Sequence, residues 1–168
     1  MKGSVSSYGI SNIRGDRLSE FDHAANLLGI PPLQLISNYY GLAQQACSPW
    51  PGAYQLEISG LKWLQKHKRP LLCWSALAQG WFAHCRMSSH FLPVYETDIN
   101  RTRRALAQEL AQKKGVTALQ IALSHTLSAP FRILASVGPR SIKELEEIID
   151  ATSLTLSKED CVFLTSLS

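Results

Sequence analysis

The sequence predicts an α/β fold of parallel strands alternating with helices, and two observations support that prediction. Four short apolar segments recur along the 168 residues, and each is followed by a loop and a helix-like stretch. The segments are almost continuously apolar, which is typical of parallel strands covered on both faces. Apolar residues make up 45% and charged residues 18%, as in folded rather than disordered chains. We therefore expect one domain, residues 1–168, built from four βα units.

The first two units lie in the amino-terminal part of the chain. Residues 8–12 predict the first strand, and apolar spacing over residues 17–28 predicts a helix that Gly29 ends. Residues 33–37 predict the second strand. A long loop then leads to a helix predicted over residues 54–67.

The third and fourth units are separated by a longer connection. Residues 70–77 and 133–137 predict the two strands, and residues 99–113 and 118–127 between them predict two additional helices. Two final helices begin at capped starts, Ser141 and Ser157.

The charge pattern and the cysteines restrict the partners and the compartment. The net charge is +4 and the basic residues are dispersed, without the aromatic-interleaved stripe that binds single strands, so we expect no nucleic acid partner. No apolar run approaches the ~18 residues of a membrane span, so we expect no membrane partner. The four cysteines lack CxxC pairs, which predicts free thiols in a reducing cytoplasm. His84, Cys85 and His90 match no standard zinc spacing, so we expect no metal site.

Polar or aromatic side chains lie at the carboxyl ends of three of the predicted strands. They are Ser11 and Asn12, Ser37 and Asn38, and Trp74 and Ser75. Because ligands bind at the carboxyl ends of parallel strands, this pattern indicates a binding site. A hydroxyl with a carboxamide can pair with a planar amide, and an indole can stack on a heterocycle. Trp74 also fits the alternative role of a core residue.

The segment ILASVGPRSIKELEEI, residues 133–148, leads from a predicted strand into a capped helix. Ser141, with Glu144 three residues later, predicts a complete capping box. The free N–H groups of this helix start, with Arg140 beside them, suit a phosphate group. The same residues suit a plain strand-to-helix turn, and on these residues alone both interpretations stay open.

Together these segments resemble the carboxyl-terminal half of the aldo-keto reductases. YGISN (residues 8–12) resembles the family's fifth-strand GVSN motif, and LCWSAL (residues 72–77) its seventh-strand AYSPL segment. TALQIALSHTL (residues 117–127) is similar to the helix PAQVALAWVL, and residues 133–148 are similar to the last strand and its cofactor-phosphate loop. The likeness implies a partial TIM barrel, strands five to eight with parallel pairing and extra helices.

The resemblance also implies a nicotinamide cofactor, NADP(H). Ser11 and Asn12 would bind the nicotinamide carboxamide, and Trp74 would stack on the ring in place of the family's tyrosine. Ser75 and Leu77 would lie along the pyrophosphate. The residues implied around the adenosine 2′-phosphate and the adenine are Gly138, Arg140, Ser141, Glu144 and Glu147.

Three positions depart from the family's pattern. Ser37 replaces a glutamine that binds the carboxamide, and Ile148 replaces an asparagine near the adenine. Glu144 stands where an arginine often holds the 2′-phosphate. A preference for NADP(H) therefore rests mainly on Arg140, and NAD(H) is the alternative cofactor.

The resemblance begins at the fifth strand, whereas a complete barrel takes about 250 residues. The family's catalytic tetrad of tyrosine, lysine, aspartate and histidine comes from the first four strands, so we expect no catalytic residue here. An open half-barrel would expose two edge strands and an apolar face. We therefore expect a separate amino-terminal half or a homo-oligomer.

Two functions of different class follow. The first is an NADP(H)-dependent oxidoreductase that reduces carbonyls to alcohols and is incomplete without an amino-terminal half. The second is a non-catalytic nucleotide-binding or assembly protein derived from the same fold.

Overall fold

Strands and helices alternate in the order that the sequence predicts. The computed structural model of the chain describes residues 5–83 and 87–166. Within these ranges the elements are β1 (Gly9–Ser11), α1 (Leu18–Leu27), β2 (Leu35–Tyr39), α2 (Ile58–His67), β3 (Leu71–Trp74), α3 (Leu92–Tyr95), α4 (Asp98–Lys114), α5 (Ala118–Leu127), β4 (Ile133–Ala135), α6 (Ile142–Ser153) and α7 (Lys158–Thr165).

The four strands form one sheet in the order β1-β2-β3-β4, and every pair is parallel. Ser11 pairs with Ser37, Ser37 with Leu72, and Leu72 with Leu134, so one row of side chains crosses the sheet. Each strand neighbours the next strand of the sequence, as in part of a βα barrel. The predicted α/β fold with four parallel strands is confirmed.

In the described residues, helices cover one face of this sheet and leave the other face open. Ile36, Leu71 and Cys73 are fully buried there, against α1, α2, α5 and α6. On the other face Ser11 is exposed and Leu134 is 44% exposed. The expectation that both faces are covered is therefore wrong for the described part of the chain. Strands of a barrel are apolar on both sides because side chains also fill the interior, and four strands leave that interior open.

A second core cluster closes the carboxyl end of the sheet. The ring of Tyr39 is fully buried 6.0 Å from the ring of Tyr95, and its hydroxyl donates to the Ala43 carbonyl at 2.8 Å. Ala107 of α4 and Leu164 of α7 are fully buried in the same cluster. This packing holds the segment after β2 next to the end of β3.

Several element boundaries differ from the predicted ones. β2 lies two residues later than expected, because Tyr39 still pairs with Trp74 of β3. α2 begins at residue 58 rather than 54, because Gln55 forms a bridge with Tyr39 and the N–H of Leu56 donates to the Tyr39 carbonyl. The short helix α3 lies in a segment expected to be a loop.

Capping side chains define the starts of most of the longer helices. Thr117 forms a complete capping box with Gln120 at α5, and Ser157 forms one with Asp160 at α7. Gly115 ends α4 with a φ of 68°, a conformation that glycine adopts without strain. Among the residues described, no helix combines the length and the apolar character that crossing a bilayer requires.

Candidate cofactor site

Asn12 connects three segments at the carboxyl end of β1. Its φ of 55° lies in the left-handed region, which asparagine tolerates better than most residues. Its backbone N–H donates to the Ser37 carbonyl at 2.7 Å. Its Oδ1 accepts from the N–H of Tyr54 at 3.2 Å and from the indole N–H of Trp74 at 3.1 Å. Its Nδ2 donates one hydrogen to Ser11 Oγ at 3.2 Å, so the second hydrogen of Nδ2 is the part of this side chain that a ligand could accept.

Ser37 lies in the middle of β2. Its carbonyl accepts the Ser11 hydroxyl at 3.1 Å, and both residues belong to the row that faces away from the helices. The prediction that Ser37 and Asn38 end the second strand is wrong, because the strand continues to Tyr39. Ser37 therefore remains next to Ser11 but sits deeper than a residue at the strand end.

Trp74 ends β3 as the central ring of an aromatic group. Its ring centroid lies 5.4 Å from that of Tyr39 and 4.8 Å from that of Trp50, and its side chain is half-buried. The contact with Tyr39 fits the interpretation of Trp74 as a core residue, whereas its stacking on a ligand stays a prediction. One side packs on the buried core through Tyr39, and Trp50, which is 41% exposed, covers another part of the indole.

A groove of about 720 Å³ runs from Trp74 to the start of α6. It brings together eight of the predicted site residues, namely Trp74, Ser75, Leu77, Gly138, Arg140, Ser141, Glu144 and Glu147. The other three, Ser11, Asn12 and Ser37, do not line the groove. They lie at the ends and middle of the neighbouring strands, and Asn12 is joined to the groove through its hydrogen bond to Trp74.

The start of α6 forms one wall of this groove. The Ser141 hydroxyl accepts from the N–H of Glu144 at 3.1 Å, which is half of the predicted capping box. The carboxylate of Glu144 does not complete the box on Ser141. It accepts instead from the backbone N–H of Arg140 at 2.6 Å and from its guanidinium at 3.3 Å. These hydrogen bonds lower the pKa of Glu144, so the carboxylate is ionised at neutral pH.

Hydrogen bonds also hold two other polar residues of the groove, Glu147 and Ser75. Thr117 donates its hydroxyl to the carboxylate of Glu147 at 2.5 Å, which ties α6 to the start of α5. Gln79 donates to the Ser75 hydroxyl at 2.8 Å, and both residues have a positive φ, 53° and 51°. Such a backbone conformation is costly outside glycine and persists where surrounding contacts hold it.

Asn38 supports the site and was not singled out by itself in the sequence. It is fully buried, and its Nδ2 donates to the Ile13 carbonyl at 2.8 Å and to the Tyr54 carbonyl at 3.3 Å. Its Oδ1 accepts from the Ile13 N–H at 3.3 Å. A carboxamide directly after a predicted apolar strand was the available signal, because a buried amide must find partners. The contact between Trp50 and Trp74 could not be predicted from the sequence, because only the fold brings the two rings together.

No metal centre is evident in the described ranges, where no group of three histidine, cysteine, aspartate or glutamate side chains could hold an ion. His90 contacts the Pro49 carbonyl at 3.1 Å through Nε2. His84 and Cys85 lie outside the described residues.

The fold and the groove together define a class of protein. A parallel βα sheet that carries a ligand-sized groove beyond the carboxyl ends of its strands is an α/β protein of the barrel type. Among solved structures, the chain is similar to a thermostable aldo-keto reductase crystallised with the inhibitor epalrestat, with a TM-score of 0.63 and 20% sequence identity. That match covers 98% of this chain and 49% of the other, so this chain spans about half the length of the protein it matches.

The sequence itself identifies the family. A profile of the aldo/keto reductase family matches residues 1–168, and the chain belongs to that family. The aldo-keto reductase family inferred from its motifs is confirmed, whereas the assignment to the carboxyl-terminal half of that family stays a prediction. A comparison with curated protein sequences finds no match. Members of the family are oxidoreductases that generally use nicotinamide cofactors.

Proposed function

We propose that this chain is the cofactor-binding part of an NADP(H)-dependent oxidoreductase that reduces carbonyls to alcohols. The observation that supports this most is the groove between Trp74 and the start of α6, where eight residues inferred from the family's cofactor site meet. Its volume of about 720 Å³ lies in the range of cofactor pockets. When bound, the cofactor supplies the hydride that reduces the carbonyl carbon.

The chain's own residues bind and orient in this proposal. Asn12 fixes the indole of Trp74 through its Oδ1, donates one Nδ2 hydrogen to Ser11 and offers the other to the carboxamide. Trp74 offers its ring to the nicotinamide. Arg140 and the N-terminal end of α6 attract the phosphates of the far half, because the helix dipole and the guanidinium both favour anions.

The coenzyme preference depends on two neighbouring side chains. Arg140 favours the 2′-phosphate of NADP(H), whereas the ionised Glu144 carboxylate beside it repels that phosphate and suits the 2′-hydroxyl of NAD(H). We expect Glu144→Gln to tighten NADPH binding without a matching gain for NADH. The same gain for both cofactors would mean that Glu144 does not read the 2′ position.

The test of cofactor binding is a titration of the purified chain with NADPH and NADH. Quenching of tryptophan emission and the emission of the reduced nicotinamide are followed together, because Trp74→Leu removes one reporter. We expect saturable binding that Trp74→Leu and Arg140→Ala weaken, and that Arg17→Ala, an exposed arginine paired with Glu20, leaves unchanged. Absence of saturable binding up to millimolar cofactor would contradict the proposal.

The proposal includes a partner that supplies the remaining strands. β1 and β4 are the edges of the described sheet, and the face opposite the helices exposes Leu134. An amino-terminal half carrying the tetrad would pair with both edges and cover that face. A homo-oligomer is the alternative. The free thiols of Cys47, Cys73 and Cys161 support a cytoplasmic site of action.

Turnover tests this second part separately. We expect carbonyl reduction only when the chain is combined with an amino-terminal aldo-keto reductase half that carries the tetrad. Cofactor binding without turnover in that mixture would favour the non-catalytic nucleotide-binding alternative. Carbonyl reduction by the chain alone would contradict the proposal that it needs an amino-terminal half.

A further inference from the structure

A second cavity, of about 610 Å³, lies among the helices and shares no lining residue with the cofactor groove. The segment after β2, the start of α2, and side chains from α4, α5 and α7 line it, and it is open to solvent at the exposed Glu57 and Ile58. Its volume is within the range of small-molecule sites. Nothing in the proposed oxidoreductase function uses it.

Arg103 of α4 places a buried positive charge at this cavity. The residue is 8% exposed, and one terminal nitrogen donates to the Leu42 carbonyl at 2.7 Å. Its Nε is buried without a hydrogen-bond partner. None of the ion pairs found across residues 5–83 and 87–166 includes Arg103. A buried guanidinium without a counter-charge is costly, and an anion beside it would remove that cost.

His125 of α5 lines the same cavity and is also incompletely bonded. Its Nδ1 is buried without a partner. Burial and, to a smaller extent, the charge of Arg103 lower the pKa of His125 to about 4. The imidazole is therefore neutral at pH 7 and has one N–H to donate.

The start of α2 adds a third feature that favours an anion. Its N-cap residue, Glu57, makes no capping hydrogen bond with its side chain, and Ile58 and Ser59 of the first turn line the cavity. The free N–H groups and the positive end of the dipole of this ten-residue helix thus lie beside the cavity. The exposed carboxylate of Glu57 also lines it and opposes a highly charged ligand.

We propose that this cavity binds a small organic anion through a single carboxylate or phosphate group. The charged group lies beside Arg103 and His125. Its carbon body lies against the apolar side chains that share the cavity, those of Leu56, Ile58 and Leu61. The carboxylate of Glu57 selects singly charged over multiply charged groups.

The ring signals of His125 report on this site by nuclear magnetic resonance, once His125→Gln has assigned them. Acetate and inorganic phosphate serve as probes, each titrated against chloride at constant ionic strength and pH 7. We expect a saturable shift with at least one probe and a rise in the pKa of His125, since a nearby anion stabilises the protonated ring. No saturable shift with either probe would overturn the proposal.

Two variants separate this site from nonspecific charge effects. Glu57→Gln, on the exposed rim, is expected to tighten probe binding several-fold, and weaker or unchanged binding would contradict the role of that carboxylate. Arg103→Met is expected to weaken binding about tenfold or more. Because Arg103 also holds the Leu42 carbonyl, Glu57→Gln decides the matter if the Arg103 variant does not fold. Arg140→Ala, in the cofactor groove, should leave the His125 signals unchanged, and loss of the response there would place the anion in the other cavity.

Discussion

At Asn12 the backbone conformation and the side-chain hydrogen bonds favour the same residue. The left-handed φ of 55° suits glycine or asparagine, and the carboxamide reaches both Tyr54 and Trp74. The residue was predicted from its position after a strand, as a ligand for a carboxamide. Its bond to Trp74 was not predictable, because the two residues are 62 positions apart in the sequence and only the sheet brings them together.

Substitutions at Asn12 separate these two contributions. We expect Asn12→Ala to lower the free energy of unfolding by about 2–3 kcal/mol, through the lost hydrogen bonds and the strained backbone. Asn12→Gly removes the same hydrogen bonds without that strain, so its loss should be about 1 kcal/mol smaller. Urea denaturation of both variants measures the difference. Equal losses would show that the backbone strain is absent in solution.

The burial of Cys73 determines the reactivity of its thiol. The thiol of Cys73 is fully enclosed and directed at the Tyr40 carbonyl, and burial raises its pKa to about 12. We expect iodoacetamide to label the exposed Cys47 in the native chain at pH 8 and to leave Cys73 unmodified until urea unfolds it. Peptide mass spectrometry measures both sites. Native labelling of Cys73 at the rate of Cys47 would contradict the burial.

At the scale of elements, α5 is the helix most enclosed by the rest of the chain. Most of its residues, from Ala118 to Thr126, are buried between α4, α6 and the sheet. The spacing of Thr117 and Gln120 is that of a capping box, which local sequence can show. Local sequence cannot show the hydrogen bond from Thr117 to Glu147, since the two residues are 30 positions apart and lie at different helices.

Thr117 therefore stabilises two elements at once. We expect Thr117→Ala to lower the free energy of unfolding by about 2 kcal/mol, because the cap and the bond to Glu147 are both lost. Thr117→Ser keeps the hydroxyl and should cost roughly 0.5 kcal/mol or less. Thermal or urea unfolding distinguishes the two. A serine variant as unstable as the alanine variant would show that the methyl group, not the hydroxyl, matters.

Helix and strand positions were predicted better than their ends. The apolar period located α1, α4 and α5, and cap residues located α6 and α7. The start of α2 depends instead on the bridge between Gln55 and Tyr39, which local sequence does not encode. Likewise β2 extends to Tyr39 because Trp74 of the neighbouring strand continues the ladder. Pairing between strands therefore set the boundaries that the apolar period placed elsewhere.

At the scale of the whole molecule, His125 links stability to pH. The unfolded chain binds the imidazole proton near pH 6.5 and the folded chain near 4, so the unfolded state holds more protons between these values. Stability should therefore fall with acid across this window, by at most about 3 kcal/mol. The carboxylates with lowered pKa, which are Asp16, Glu144, Glu159 and Asp160, lose their contributions below pH ~4.5.

Urea unfolding between pH 7 and 5 measures this linkage. We expect His125→Gln to flatten the dependence, whereas His23→Gln, at an exposed position of α1, should leave it as in the parent chain. The slope is compared rather than the stability itself, because replacing a buried ring also changes packing. A slope that survives in His125→Gln would assign the acid sensitivity to other groups.

The fold class followed from the alternation of apolar runs and helical patterns in the sequence. The placement of the helices relative to the two faces of the sheet did not. Apolar runs such as residues 70–77 look the same whether the second face meets helices or a barrel interior. The exposure of Leu134 shows that its face corresponds to an open barrel interior rather than to a helix-covered face. Only the register of the strands shows that Leu134 shares a row with Leu72.

The pairing of Trp50 with Trp74 has an optical consequence. Two indoles with centroids 4.8 Å apart and planes inclined at 41° couple their excited states, so the chain should show a split, two-signed band in its ultraviolet circular dichroism. The band depends on the geometry of that pair and not on helix content. A ligand that displaces Trp50 from the indole of Trp74 would abolish it, and the protein thereby carries its own unlabelled spectroscopic indicator of occupancy.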